Sequence, residues 1–268
     1  MQKSQEKRDV LMELTPQILI VVLPLIFLGG FVDSVAGGGG LITLPAYLMA
    51  GIPAHLAMGT NKVVNGIGTA TASVKYFRGG KIKMRPAIIA GVGALVGAAI
   101  GTRIALLIPE NILKIMMLVA LPCAAILLIL KKDFGKESDA PEREYTKQQE
   151  LVRAALIGLG LGCYDGLIGP GTGTFMIMAF TMALSMDLLT ASGCAKLANL
   201  CSNVASAVLF IFSGKVWWLL ALPAAACNML GAYCGTRYAM KGGSKRVRGM
   251  IFVVLGLLFI KMGYELLF

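Results

Sequence analysis

Apolar residues run along this chain in long blocks separated by short polar or Gly-rich punctuation. The blocks fall at about 16–36, 56–77, 84–107, 111–130, 150–168, 188–213, 216–236 and 246–267. Each is close to the roughly 20 residues that cross a hydrocarbon core as a helix. Two shorter blocks, about 40–53 and 172–186, sit between full-length neighbours. Only helices and closed barrels satisfy their backbone polar groups inside lipid, so blocks of this length predict an all-α polytopic protein with about 8–10 transmembrane segments.

Composition agrees with the pattern. Hydrophobic residues make up 57% of the 268 residues, charged residues 15%, and the mean hydropathy is +0.76. Soluble chains carry about 25% charged residues. The N-terminal MQKSQEKRDV lacks the order of a cleavable signal peptide, so the apolar block behind it is expected to stay in the chain. Cys123, Cys163, Cys194, Cys201, Cys227 and Cys234 all lie in apolar blocks without metal-ligand spacing and read as packing residues. The net charge of +11 is largely loop Lys and Arg, which speaks for membrane orientation and against a nucleic-acid partner.

The chain also repeats itself. A shift of 134 residues lays Lys62 on Lys196, Asn65 on Asn199, Gly80-Lys81 on Gly214-Lys215, and GTRIA at 101–105 on GTRYA at 235–239. A shift of 132 lays Asp33 on Asp165 and Gly37 on Gly169, matching DSVAGGGG to DGLIGPGT. The expected organisation is a first repeat over 1–130, a hydrophilic linker over 131–149, and a second repeat over 150–268. The stretch 131–153 carries six basic and six acidic residues and reads as solvated.

Loop charge bears on whether the repeats are inverted. The basic loop of the first half, RGGKIKMR (78–85), corresponds to FSGKVWWL, which has one lysine. The basic loop of the second half, RYAMKGGSKRVR (237–248), corresponds to RIALLIPENILK, with two bases and an acid. Charge that moves to the non-corresponding loop is what inverted repeats show, with an odd number of crossings per half. That reading has five plus five crossings and both termini outside. The rival is eight crossings, re-entrant 40–53 and 172–186, a parallel duplication and both termini inside, which the basic Lys3, Lys7 and Arg8 favour.

Gly-rich breaks then lie within the bilayer on either reading. A helix over 40–52 is only ~18 Å long, short of a ~30 Å core. Irregular backbone at that depth must be buried in protein or line a watery cavity. The glycines either permit close helix packing or present N–H groups and helix N-termini to an anion at Gly38, Gly39 and Gly40 and at Gly171, Thr172 and Gly173.

Buried ionisable residues extend this reading. Lys62 and Lys196 stand early in long apolar blocks, with Asn65 and Asn199 three residues on and on the same helical face. An ionisable side chain there costs about 2.5–3.5 kcal/mol or more on insertion scales, which makes it a functional candidate. Asp33 and Asp165 stand four residues before the breaks. They either bridge the lysines structurally, Lys62 with Asp33 as the first pair to test, or hold the lysines, cap the short helices or exchange a coupling proton around an anionic ligand. Asn203 adds an amide one turn beyond Asn199, where the first half has Thr69. His55, the one histidine, reads as interfacial, and Trp217 and Trp218 as interfacial anchors. Lys75 has no basic counterpart, Leu209 standing in its place.

GFVDSVAGGGGLITLP, GTNKVVNG and YFRGGKI, taken in this order with their second-half counterparts, resemble the TauE/SafE family of sulfite and organosulfonate exporters over about residues 18–267. The resemblance implies a prokaryotic inner-membrane, multi-pass transporter of small sulfur-containing anions such as sulfite, sulfoacetate or another sulfonate. Pro170 in place of Gly38 and Cys194-Ala195 in place of Thr60-Asn61 make the two halves chemically unequal.

The mechanism expected is alternating access at a midplane site, where Gly N–H groups, Lys62 and Lys196 hold the oxyanion and Asn65, Asn199, Thr43, Thr172 and Thr174 donate to it. No G-x4-G-K-[ST] motif is present, so energy is expected from an ion or voltage gradient, worth about 2.3 kcal/mol per charge per 100 mV. No cofactor and no metal are expected. The partners expected are a small anion and the lipid bilayer, with a homodimer left open. An anion channel on the same breaks is the alternative; a non-transport assembly factor or an enzyme is disfavoured, because one histidine builds no Ser-His, Cys-His or metal constellation.

Overall fold

A computed structural model describes residues 16–117, 119 and 145–267. The basic N-terminus, Cys123 and most of the expected linker lie outside the described residues. All regular structure among those described is helical: α1 (Pro16–Ala36), α2 (Gly40–Met49), α3 (Ala54–Arg78), α4 (Met84–Leu107), α5 (Lys147–Leu167), α6 (Thr172–Leu184), α7 (Leu188–Phe212) and α8 (Trp218–Leu267), with 110–117 also helical. Gly243, at φ 59° and ψ −156°, breaks α8 into two helices.

The punctuation follows the residues. α1 stops at Ala36 because Gly37 turns to φ 79°, and its N–H bonds back to the Asp33 carbonyl at 2.8 Å. α5 gives way to Gly169 and Gly171, at φ 93° and 81°, before α6 starts. α7 is capped by Asp187, whose carboxylate accepts from the Leu189 and Thr190 N–H groups at 3.0 Å each. The α3–α4 and α7–α8 turns both pass through a left-handed glycine, Gly80 and Gly214, at φ 65°.

Four described helices are long and apolar enough to cross a membrane: Ile18–Ala36, Met84–Leu107, Leu188–Phe212 and Trp218–Ile251. α3 has the length but not the composition, because Asn61, Lys62 and Asn65 interrupt it and face the interior. The outer surface is apolar instead: Ile20, Val92, Leu222 and Phe212 are all more than 60% exposed. Charged and amide side chains turned inward beneath an apolar exterior are the arrangement of a multi-pass membrane protein.

Helix directions follow from where glycines meet neighbours. Gly59 abuts the Lys215 carbonyl, Gly66 faces Asn203, and Gly193 abuts the Lys81 carbonyl, so α3 and α7 run antiparallel. α4 and α5 run parallel, with Gly93, Gly97 and Gly101 against Ala155, Leu159 and Cys163 in step. α1 runs parallel to α8, Gly231 and Gly235 resting on Phe27 and Phe31.

This packing gathers most of the described basic residues at one end, with Glu150 and Asp187 among them and Arg103 at the other. Arg78, Lys81, Lys83 and Arg85 share the basic end with Lys147, Arg237, Lys241, Arg246 and Arg248, as the Met240 side chain against Gly79 and the Arg85 guanidinium on the Lys147 carbonyl demonstrate. At the opposite end stand Lys114, Lys215, His55 and Glu110. By the positive-inside rule the basic end is the one expected on the cytoplasmic side. The described residues form two main apolar cores, one toward each end. Val35, Tyr76, Ala90, Met176 and Phe180 belong to the basic end; Ile26, Tyr47, Met58, Phe210 and Leu220 to the other.

Candidate functional site

Between the two cores lies a polar cavity. Asp33 and Gly37 of the first break, Gly40 of α2, Asn61, Lys62 and Asn65 of α3, Asp165 and Gly169 of the second break, Gly173 of α6, and Asn199 and Asn203 of α7 line it. About 20 Å³ is open to the centres of water molecules. One water needs roughly 10–15 Å³ on that measure, so the cavity in this conformation holds a water or two and no larger guest.

The charges in it are paired crosswise. The Lys62 ammonium stands 2.7 Å from Asp165 Oδ2, and the Lys196 ammonium 2.6 Å from Asp33 Oδ2. Lys62 with Asp33, the first pair to test from the sequence, is not formed. The antiparallel crossing of α3 and α7 explains this, because it carries each lysine to the break of the other half. Lys196 is fully buried and Lys62 is 4% exposed, so each ammonium is cut off from bulk water and leans on the carboxylate. Asp33 also accepts from the Gly39 N–H at 3.3 Å, and Asp165 from the Ser202 hydroxyl at 2.7 Å.

The breaks touch. A Cβ on Gly37 would fall on the backbone of Gly173 and Thr174, and Gly40 faces Pro170. The Thr174 hydroxyl donates to the Ala36 carbonyl at 2.7 Å. The site is therefore one assembly built from both halves of the chain.

Of the residues singled out in the sequence, Asp33, Gly40, Lys62, Asn65, Asp165, Gly173, Lys196, Asn199 and Asn203 come together here. Gly38, Gly39, Gly171, Thr43, Thr172 and Thr174 stand in or beside the breaks, outside the cavity lining. The threonine hydroxyls are engaged elsewhere: Thr43 donates to Asn61 Oδ1 at 2.7 Å and Thr172 to the Gly169 carbonyl at 2.8 Å. Two amides pair at the cavity, Asn203 Nδ2 donating to Asn199 Oδ1 at 2.7 Å, and Asn228 Nδ2 donates to Asn65 Oδ1 at 3.1 Å.

Asn61, Gly37, Gly169, Ser202 and Asn228 join the site without having been named as site residues in the sequence. Asn61 could have been, since it adjoins Lys62 in GTNK. Asn228 gave no signal, as it reaches Asn65 only because α8 packs against α3.

His55 is 9% exposed and tied down at the α3 N-terminus, at the end of the bundle away from the basic cluster. Nδ1 lies 2.5 Å from Glu110 Oε2 and Nε2 lies 3.1 Å from the Ala105 carbonyl. The same carboxylate accepts from the backbone N–H groups of Ala54 and His55. Lys75 stacks over the Tyr233 ring, its ammonium 3.3 Å from the ring centre, and donates to the Tyr233 carbonyl at 3.0 Å.

Comparison with known proteins fits the membrane architecture. The family model described as "Sulfite exporter TauE/SafE" matches residues 22–262. A probable membrane transporter protein, ORF9, from a Sinorhizobium species is 35% identical over 228 residues, covering 85% of either chain. A probable membrane transporter protein of Haemophilus influenzae is 32% identical over 95% of this chain and 98% of its own. The probable membrane transporter protein YfcA of Escherichia coli K12 is 30% identical over 97% of this chain and 95% of its own. No solved structure matches. With its helical, apolar-surfaced architecture and a family match running from α1 into the second part of α8, this chain is a multi-pass membrane protein of the sulfite exporter TauE/SafE family.

Proposed function

We propose that the protein is a transporter of small sulfur-containing anions, such as sulfite, sulfoacetate or another organosulfonate, working by alternating access as an exporter. One observation carries the reading: one cavity is lined by the buried Lys62 ammonium and by Asp33, which the buried Lys196 ammonium holds from behind the lining, and it also presents glycine backbone and asparagine side chains. Lysine is a compact charge with three donors, suited to an oxyanion, and the described lining is polar, which suits a small hydrophilic substrate better than a greasy one.

Both ion pairs are closed and the cavity holds only water-sized guests, so this conformation reads as occluded. An anion is admitted only when the helices part and a lysine leaves its aspartate. The antiparallel α3 and α7, each following a break and a short helix, support a duplicated module inverted in the membrane. Its halves would be 1–130 and 150–268, and the site would lie where their breaks cross. An inside-negative potential favours outward movement of an anion by about 2.3 kcal/mol per charge per 100 mV.

The test keeps each site neutral. Lys62→Met with Asp165→Asn, and Lys196→Met with Asp33→Asn, remove a pair without stranding a charge. In proteoliposomes both doubles are expected to lose counterflow of a radiolabelled short sulfonate at least tenfold while remaining folded. Counterflow at the parent rate in both doubles would return the lysines to a structural role. Single-channel current that does not saturate with anion would replace the transporter by a channel.

A further inference from the structure

An anion that binds between the lysines needs a way into the cavity. From Lys62 the same face of α3 continues through Asn65, Thr69, Ser73 and Tyr76, at helical spacings of three and four. These residues lead from the cavity toward the basic end. Thr69 and Ser73 are 2% and 4% exposed, and neither hydroxyl has a hydrogen-bond partner among the described residues. Buried hydroxyls almost always find a partner, and leaving one unmade costs roughly 1–3 kcal/mol. Two such groups on successive turns, in line with a buried ammonium, point to water or a hydrophilic solute between the helices. The Tyr47 and Thr181 hydroxyls are also unpartnered, but they stand on the short helices α2 and α6, away from the lysine faces.

The equivalent face of α7 leads the other way and is built differently. From Lys196 it runs through Asn199, Asn203, Ala207 and Phe210. Asn203 is satisfied by Asn199, and beyond it the face is apolar, with Ala207 standing where the first half has Ser73. The polar groups nearby on α7 are also bonded: Ser202 donates to Asp165, and Ser206 accepts from Thr102 at 2.8 Å. Tyr76 and Phe210 are both fully buried and end their respective faces, but only Tyr76 carries a hydroxyl, which donates to the Ser34 carbonyl at 3.0 Å beside Asp33.

We propose, resting on the anion-transport reading, that the Lys62 face of α3 carries a hydrated path, lined by Asn65, Thr69 and Ser73 and closed at its outer end by Tyr76, through which a small anion moves between the paired-lysine cavity and the basic end. The α7 face is the sealed side. With the basic end in the cytoplasm, the cavity loads from the cytoplasmic face, where the clustered Lys and Arg concentrate anions.

The test uses the full-length protein in membrane vesicles of known orientation. Thr69→Cys, Ser73→Cys and Ala207→Cys are exposed to a negatively charged, membrane-impermeant methanethiosulfonate, and the modified residue is identified by peptide mass spectrometry, which separates it from the native cysteines. The path predicts modification of Thr69→Cys and Ser73→Cys from the cytoplasmic face at least tenfold faster than Ala207→Cys from either face. It also predicts that a short alkanesulfonate slows both. Reaction at neither position, while Lys241→Cys reacts, overturns the path, as does equal reaction at Ala207→Cys.

Cysteines that react but gain no sulfonate protection overturn the anion reading of the cavity and leave a water path. A second pair of variants guards against folding defects. Thr69→Val and Ser73→Ala remove an unpartnered hydroxyl, so stability holds or rises while counterflow falls at least fivefold. Parent counterflow in both would overturn the path.

Discussion

The Lys62 ammonium lies 2.7 Å from Asp165 in the break between α5 and α6, and this pair, with its counterpart Lys196–Asp33 at 2.6 Å, crosses the boundary between the two halves of the chain. The crossing makes a double-mutant pattern. Lys62→Met strands Asp165 in a buried site, at a cost of about 3–5 kcal/mol. Adding Asp165→Asn removes the stranded charge and restores most of that loss. Adding Asp33→Asn instead strands Lys196 as well and deepens it. Thermal unfolding of the detergent-solubilised variants checks the ordering; rescue by Asp33→Asn in place of Asp165→Asn would refute the crossed pairing.

Gly37 and Gly80 share a left-handed backbone, at φ 79° and 65°, but not their surroundings. An alanine methyl at Gly80 meets no described atom within 4 Å. Gly80→Ala should therefore lose only the conformational cost, about 1–2 kcal/mol. At Gly37 the added methyl falls on the backbone of Gly173 and Thr174, so Gly37→Ala should cost clearly more and force the two breaks apart. The comparison is made by thermal unfolding and by sulfonate binding, which only Gly37→Ala should impair. Equal losses would mean that the breaks do not meet.

Glu110 supplies the cap that α3 lacks in its own sequence. Pro53, before the helix, offers no side-chain acceptor, and the Glu110 carboxylate takes the Ala54 and His55 N–H groups and the His55 ring instead. Glu110→Ala should lower stability by about 0.5–2 kcal/mol, the usual worth of a cap, with Glu110→Gln intermediate. Sulfonate counterflow should survive in both, since the cap lies outside the cavity. An unchanged midpoint in Glu110→Ala would remove this role.

Orientation gives a further check. A reporter fused after Gly80 or after Gly243 should read cytoplasmic, and one fused after Gly214 external, because Lys215 meets Gly59 at the end away from the basic cluster. A cytoplasmic signal at all three would contradict both the antiparallel course of α3 and α7 and the export direction drawn from it.

Helix spans and breaks were readable because lipid leaves few options: apolar length, glycine and proline state where a helix crosses and where it stops. The ionisable members of the site were readable for the same reason, since Lys62, Lys196, Asp33 and Asp165 are costly where they stand. Partner choice was not. Lys62 and Asp33 are near in sequence, yet only the antiparallel approach of α3 and α7 decides that Lys62 meets Asp165. Thr43, Thr172 and Thr174 have the right chemistry for ligand donors, but their hydroxyls bond to protein groups that no local pattern names. The tie of His55 to Glu110 was not legible, because that partner belongs to a different helix.

The glycine contacts between helices carry a mechanical consequence. Gly93, Gly97 and Gly101 of α4 rest on the α5 backbone, Gly158, Gly162 and Gly166 of α5 rest back on α4, and Gly30, Gly231 and Gly235 join α1 to α8. Each seam fastens a helix from one half of the chain to a helix from the other, with main chain on main chain and only the short Ser34 side chain, at Gly235, beside it. Rocking one sequence half against the other would shear both seams at once. Motion that spares the seams keeps the stitched pairs whole, α1 with α8 and α4 with α5, and leaves the change to be taken up at α3 and α7, the two helices that carry the lysines.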